Sequence, residues 1–111
     1  MNIGNLQCEY LKNPLGLDVE KPRFSWICES NERGQEQTAY QIIVAFDSDG
    51  LNSNYGDVWD SGKVSSKSNQ VEFGGKDLES NKKYCWKVRV WDKDNVVSEY
   101  SEGAFFTTGI F

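Results

Sequence analysis

Acidic side chains are the largest set of residues in this chain that could do chemistry. The 111 residues include 17 Asp and Glu and no His, so a pair of carboxylates, as used to hydrolyse glycosidic bonds, is the first chemistry to consider. Most of them lie in predicted turns, as Asp47 and Asp92 do, or on the predicted outward face of a strand, as Glu72 does. Solvated carboxylates have nothing to raise their pKa for general-acid work. We therefore expect no catalytic residue.

Metal binding is the second chemistry that these side chains could support. The turns 47–50 and 92–95 resemble parts of a calcium loop, but neither has the Asp, Gly and Glu spacing that an EF-hand needs. Cys8, Cys28 and Cys85 form no C-x-x-C pair, and without His there are too few clustered ligands for zinc. We expect no metal and no cofactor.

A disulfide between Cys28 and Cys85 would fit a β-sandwich, since both residues lie in predicted strands. Alternation argues against it: if Trp26 faces the core, so does Cys28, whereas Cys85 lies between the inward-facing Tyr84 and Trp86 and should face out. We expect three free thiols.

The charge pattern bears on possible partners. Twelve Lys and Arg against 17 Asp and Glu give a net charge of −5, and the basic residues are scattered, so a phosphate-binding stripe is missing. No apolar run approaches the roughly 18–20 residues that span a bilayer, and no signal peptide is visible in residues 1–5. We expect neither a nucleic-acid partner nor a membrane span.

Period-two alternation along most of the chain indicates the β-strands that would position these side chains. It is clearest in 82–91, where every second residue from Tyr84 to Val90 is aromatic or β-branched, and no segment favours a helix. We predict one all-β domain, residues 1–111, folded as an antiparallel β-sandwich of about seven strands. The predicted strands are residues 6–10, 24–28, 38–46, 57–62, 69–73, 82–91 and 105–108.

Trp91 differs from the predicted core residues Trp26, Tyr84 and Trp86 because alternation places it on an outward face. Arg89 faces the same way on the same strand, as does Ile43 on the strand 38–46. We predict that Ile43, Arg89 and Trp91 form a patch. Three interpretations stay open: the Arg89 stem covers the ring without further function, the patch docks onto a neighbouring domain, or the ring stacks on a ligand.

Two further segments bear on partners. Trp59 and Tyr55 form a weaker candidate near a sheet edge, where we expect burial under the flanking loop. Ile110 and Phe111 are apolar at the last two positions, where polar residues are more usual. This favours a fragment of a longer, multidomain protein, whose other domains would be the partners.

One stretch resembles a known family of β-sandwiches. Leu78, followed six residues later by Tyr84, is similar to the tyrosine corner of fibronectin type III domains, in which the Tyr hydroxyl caps the backbone at the turn into the strand. The spacing of Ser98 and Ser101, and the ending Phe106 and Thr107, resemble the last hairpin of that family. The resemblance implies an immunoglobulin-like, fibronectin type III-like fold.

A narrower resemblance covers nearly the whole chain. The chain is similar to the N-terminal domain of bacterial α-L-rhamnosidases of glycoside hydrolase family 78, in the segments 6–10, 13–18, 22–26, 33–42, 59–64 and 84–92. In that family the domain precedes further β-domains and a helical barrel that holds the carboxylates. The resemblance implies a parent enzyme that releases terminal L-rhamnose with inversion, and no motif of the barrel occurs here.

These inferences predict a noncatalytic accessory domain of an α-L-rhamnosidase. Its partners would be other domains of the same polypeptide and, through the parent enzyme, rhamnose-containing glycosides. Two alternatives belong to other classes: a carbohydrate-binding module, and a free-standing fibronectin type III-like interaction module.

Overall fold

A computed structural model describes residues 1–111, which form two antiparallel sheets packed face to face. The smaller sheet has the strand order β1-β2-β6, and the larger has the order β4-β3-β7-β8 with β5 also paired to β3. This confirms the predicted all-β sandwich. The elements are β1 Asn2–Cys8, β2 Arg23–Glu29, β3 Ala39–Ala45, α1 Ser48–Asn52, β4 Trp59–Asp60, β5 Val64–Ser65, β6 Gln70–Glu72, β7 Lys83–Trp91 and β8 Ala104–Thr107.

The core between the sheets is built from aromatic rings. Phe24 is at its centre, with its ring centroid 4.6 Å from that of Trp86 and 5.7 Å from that of Phe106. Trp26, Tyr84 and Trp86 are each at most 1% exposed, which confirms their predicted place in the core. Fourteen buried residues belong to this layer, so the chain encloses a core of its own.

The tyrosine corner predicted at the start of β7 is present. The Tyr84 hydroxyl accepts a hydrogen bond of 2.8 Å from the backbone N–H of Glu79, and Leu78 is buried beside it. This bond fixes the turn that leads into β7.

The two serines of the predicted last hairpin pair with the far half of β7. Ser98 and Ser101 donate their backbone N–H groups to the carbonyl oxygens of Val90 and Val88, both at 2.8 Å. Each hydroxyl in turn accepts from the N–H of the same valine, at 3.0 and 3.1 Å. The hydroxyls replace backbone carbonyl partners, so the N–H groups at this edge of β7 stay hydrogen-bonded although residues 98–101 form no strand.

The expectation of no helix is wrong at the turn after β3. The side chain of Asp47 caps the helix α1 by accepting from the backbone N–H of Gly50 at 2.8 Å. Leu51, in its last turn, is only 3% exposed. The acidic, Gly-containing sequence predicts a turn, but Leu51 gives that turn an apolar anchor. With five residues, α1 is far too short to cross a membrane, and the structure has no longer helix.

The first strand also differs from its prediction. β1 begins at Asn2 and ends at Cys8, because Glu9 and Tyr10 adopt positive φ angles of 49° and 65°. Such angles belong to the left-handed region, and they interrupt the hydrogen bonding between β1 and β2. The chain therefore turns two residues earlier than the alternation predicts.

Candidate domain-docking site

The outward face of the larger sheet carries all three residues of the predicted patch. In the register of β3 and β7, Gln41 lies opposite Arg89 and Ile43 opposite Lys87, so these residues share one face with Trp91. The predicted sidedness is correct. Ile43, however, is 0% exposed, and the expectation that it lies on the accessible surface is wrong.

Ile43 is covered by a second apolar layer on that face. It packs with Ala45, Leu51 and Cys85, all at most 9% exposed, and Tyr100 and Phe105 lie against them. The loop before β4 closes the layer tightly, since a Cβ atom added to Gly56 would lie 3.1 Å from Ile43 Cβ. Ile43 therefore contributes to folding and offers no contact to a partner.

Arg89 and Trp91 belong to a row of alternating cations and aromatic rings, which we call the ladder. The Arg89 guanidinium carbon is 5.3 Å from the Trp91 ring centroid and 4.7 Å from that of Tyr100. Lys63 Nζ lies 4.9 Å from the Trp91 ring, and Lys87 Nζ lies 4.6 Å from the Tyr100 ring. All four distances are within the range of cation–π attraction.

Neutral polar groups hold the cations of the ladder in place. Arg89 Nε donates to Gln41 Oε1 at 2.9 Å. Lys63 and Lys87 donate from Nζ to the side-chain oxygens of Asn95 and Asn54, both at 2.6 Å. No carboxylate forms a salt bridge with these cations, because the salt bridges of the chain join other pairs. The cations of the ladder are thus held without a direct ion pair, and Asp60 reaches Arg89 only through Gln41, whose Nε2 donates to Asp60 Oδ1 at 2.8 Å.

Burial on this face shifts two pKa values in the directions that desolvation predicts. It lowers the pKa of the Lys87 ammonium, because a charged amine loses hydration there. It also raises the pKa of the Tyr100 hydroxyl, an effect that the nearby Arg89 reduces. Arrangements of Arg, Trp and Tyr side chains with partial exposure are typical of protein contact surfaces. No group in the ladder is arranged as a nucleophile or a general acid.

The other predicted candidates do not assemble into a site. No three His, Cys, Asp or Glu side chains lie together in a group that could hold a metal ion. All three cysteines are free, and burial, followed by the nearby Glu9 charge, raises the pKa of the Cys8 thiol to about 12. Cys8 is therefore protonated and unreactive near neutral pH.

The weaker aromatic candidate separates into two different environments. Trp59 packs under the smaller sheet, with its ring 5.3 Å from Phe73 and 6.3 Å from Phe24. A Cβ atom added to Gly74 would lie 3.3 Å from the Trp59 ring. Trp59 is thus partly buried, whereas Tyr55 is 66% exposed, so the expected burial is met in part by Trp59 and is wrong for Tyr55.

Gln37 is a buried polar residue that sequence reasoning missed. Its side-chain oxygen accepts from Trp26 Nε1 at 3.0 Å, and its Nε2 donates to the carbonyl oxygens of Ser66 and Ser68 at 3.0 and 2.8 Å. Gln37 thereby joins the loop before β6 to the core. It stands in a polar segment with no alternation, so no pattern distinguishes it from its exposed neighbours.

Comparison with protein families gives a match over almost the full chain. The model of the Rha78A-like, N-terminal immunoglobulin domain matches residues 3–111. An α-L-rhamnosidase of Formosa agariphila is 46% identical over 99 residues, which are 88% of this chain and 10% of that protein. An α-L-rhamnosidase of Streptomyces avermitilis is 46% identical over 111 residues, 99% of this chain and 11% of that protein. The chain spans about a tenth of the length of these relatives.

Solved structures show the same relationship. The α-L-rhamnosidase from Dictyoglumus thermophilum superposes with a TM-score of 0.97 at 44% identity, covering 99% of this chain and 12% of that one. The Streptomyces avermitilis enzyme complexed with L-rhamnose gives 0.92 at 42% identity, covering 97% and 10%. A human fibronectin type III domain, at 15% identity and a TM-score of 0.59 over 100% of this chain and 90% of its own, is similar in fold alone.

Proposed function

The chain belongs to the family of Rha78A-like, N-terminal immunoglobulin domains, and from this premise we propose that it is the noncatalytic accessory domain of an α-L-rhamnosidase. The whole polypeptide would hydrolyse terminal α-L-rhamnose from glycosides, with its catalytic carboxylates outside these 111 residues. The observation that carries the proposal is the 46% identity, over 99% of this chain, to about a tenth of an α-L-rhamnosidase.

The chemistry of the chain supports a noncatalytic role. A general acid needs a carboxyl group whose pKa is raised. Glu9 shows the reverse: burial opposes ionisation, but hydrogen bonds from Arg23 outweigh it and lower the pKa. These bonds come from the Arg23 side chain at 3.2 Å and from its backbone N–H at 2.8 Å. Glu9 is therefore an ionised structural partner and not an acid catalyst.

The experiment compares this chain with the full-length polypeptide that carries it. With p-nitrophenyl α-L-rhamnoside, the full-length protein should release p-nitrophenol and the 111-residue chain should show no rate above the buffer control. Hydrolysis by the isolated chain would contradict the noncatalytic role, and an inactive full-length protein would contradict the parent activity. A carbohydrate-binding module would instead quench its Trp fluorescence when L-rhamnose is titrated into the isolated chain, and we expect no change.

Within this proposal, Arg89 and Trp91 contact another domain of the same polypeptide. Ile43 is excluded from that contact because α1 and Tyr100 cover it. The support for the contact is the set of cations without salt bridges in the ladder, which suits a partner surface that supplies carboxylates. The whole protein would thus be held together partly by this face.

A further inference from the structure

Four large apolar side chains are exposed at the end of the sandwich where β7 begins. Ile110 is 79% exposed, Leu15 74%, Phe46 44% and Phe111 41%. None of them belongs to the ladder or to either apolar layer of the fold. We call these four residues the end patch.

The first half of the end patch is placed by β3 and β7. Phe46 follows the last residue of β3, and its ring lies 5.7 Å from that of Tyr84 near the start of β7. Lys82 precedes β7 and exchanges two hydrogen bonds with Thr108: its N–H donates to Thr108 Oγ1 at 2.9 Å, and its carbonyl accepts from Thr108 N–H at 2.8 Å. Phe46 is therefore two strand spacings from the segment that leads to Ile110, with β7 between them.

The second half is placed by residues 14–17, which run beside the end of β8. The N–H of Thr107 donates to the Pro14 carbonyl at 3.0 Å, and the N–H of Gly109 donates to the Leu17 carbonyl at 2.6 Å. Leu15 lies between these two contacts and Ile110 directly after them. At about 4.8 Å per strand spacing, the row from Phe46 to Leu15 spans roughly 14 Å.

An exposed apolar cluster on an acidic domain marks a surface that another surface covers. Leu15 and Ile110 have most of their area outside the core, and Phe46 and Phe111 have nearly half of theirs, so this exposed area gains nothing for the fold. Their position around the point where the polypeptide leaves the sandwich indicates what the cover is. Phe111 is held there by its N–H, which donates to Ser80 Oγ at 3.0 Å.

We propose that the end patch is the docking surface for the polypeptide that follows Phe111 and for the domain which that polypeptide begins. This inference rests on the proposed function, since this chain is an N-terminal domain family member that spans about a tenth of its relatives. A segment tethered at Phe111 starts in contact with the patch. Short tethers give effective concentrations of about millimolar or more, so a small apolar interface is sufficient.

The backbone gives a direct readout of this docking. The N–H groups of Leu15 and Ile110 have no hydrogen-bond acceptor within the chain, so they exchange rapidly with solvent in the isolated domain. In the full-length polypeptide we expect their hydrogen exchange to be at least about tenfold slower. The amide of Ser68, which donates to Ser66 Oγ at 3.0 Å in the loop before β6, should exchange at the same rate in both proteins.

A pair of substitutions tests whether the apolar side chains carry the contact. The double variant Leu15→Ser and Ile110→Ser should lower the unfolding temperature of this domain in the full-length protein by about 4 °C or more, as loss of ~1 kcal/mol does for a domain of this size. In the 111-residue chain the same variant should shift it far less. The matched control is Ile27→Ser: Ile27 is 45% exposed on the outer face of the smaller sheet, away from both proposed contacts, and this variant should behave alike in both proteins.

Three outcomes would overturn the inference. The first is that the amides of Leu15 and Ile110 exchange at equal rates in the two proteins, and the second is that the double variant shifts the unfolding temperature equally in both. The third is a concentration-dependent dimer of the isolated chain that the double variant abolishes, which would mean that a second copy covers the patch. Rhamnosidase activity of the unmodified full-length protein is measured separately. An active enzyme with equal shifts refutes the end patch alone, whereas an inactive protein with slowed exchange refutes the parent activity alone.

Discussion

The two sheets of the sandwich share the same alternation of side chains but differ in what covers their outer faces. On the smaller sheet, Ile27 points outward from β2 and is 45% exposed. On the larger sheet, Ile43 points outward from β3 and is 0% exposed, beneath Leu51 and Tyr100. Alternation therefore establishes the side on which a residue lies, and the connections between strands decide whether that side meets water.

The cover on the larger sheet depends on that sheet for its own stability. A helix as short as α1 does not form alone, because nucleation costs more than so few residues recover. Burial of Leu51 against Ile43 and Ala45 supplies the missing free energy, and the Asp47 cap fixes where the helix begins. The smaller sheet has no comparable segment among its connections, so its outer face stays polar or half exposed.

The largest expected effect separates these two faces directly. Ile43→Ala should destabilise the domain by about 2–5 kcal/mol, as removal of a fully buried aliphatic side chain does. Ile27→Ala, the matched control on the other outer face, should cost about 1 kcal/mol or less. Urea unfolding of the isolated chain, followed by Trp fluorescence, measures both. Similar losses for the two variants would show that the second layer is not part of the cooperative core.

A second comparison concerns two core Trp residues, Trp26 from the smaller sheet and Trp86 from the larger. Trp26 Nε1 donates to the buried Gln37 oxygen at 3.0 Å, whereas Trp86 Nε1 is buried and has no partner. Trp26→Phe removes the indole donor and leaves Gln37 Oε1 with only the weak thiol donor of Cys28, at 3.5 Å, while Trp86→Phe removes a group that was already unsatisfied. We expect Trp26→Phe to be the more destabilising by about 1–3 kcal/mol.

Urea unfolding of both variants also measures this difference. The two losses can be compared directly because both substitutions remove the same atoms. Both Trp residues are at most 1% exposed, so the packing losses are comparable and the hydrogen bond accounts for the difference. Equal losses would mean that Gln37 finds another donor. A larger loss at Trp86 would mean that its indole N–H has an interaction that the bond geometry does not reveal.

Much of the larger sheet could be predicted from the sequence. The strand at 82–91, the Tyr84 corner and the outward side of Arg89 and Trp91 all follow from alternation and from one spacing motif, because local backbone geometry determines them. The burial of Ile43 could not be predicted in this way. It depends on a helix whose sequence, with Asp47, Asp49 and Gly50, is typical of a turn.

The polar network around Gln37 also could not be predicted. Trp26 precedes Gln37 by 11 residues, and Ser66 and Ser68 follow it by 29 and 31, so the three partners meet only in the folded sandwich. The alternative in which the Arg89 stem covers the Trp91 ring stays a prediction, because the observed contact is made by the guanidinium, whose carbon lies 5.3 Å from the ring centroid. Alternation alone did not reveal that Lys63 and Tyr100 extend this contact into a ladder.

The smallest expected effect concerns the exposed part of the larger sheet. In the isolated chain, Trp91→Ala removes two cation–π contacts, with Lys63 and Arg89, and should cost only about 1 kcal/mol. In the full-length polypeptide the loss should be greater, because the proposed contact with another domain is lost as well. Differential scanning calorimetry of both proteins compares the two values.

Tyr10→Ala is the matched control, since Tyr10 is 57% exposed beside the smaller sheet and its ring also has a cation–π contact, with Arg23 at 5.3 Å. Its effect should be the same in both proteins. If Trp91→Ala also has equal effects in both, the ladder acts within this domain alone, and the cations without salt bridges serve to cover the Trp91 ring. A greater loss in the full-length protein would instead mean that this face contacts a partner, because the substitution removes nothing else that distinguishes the two proteins.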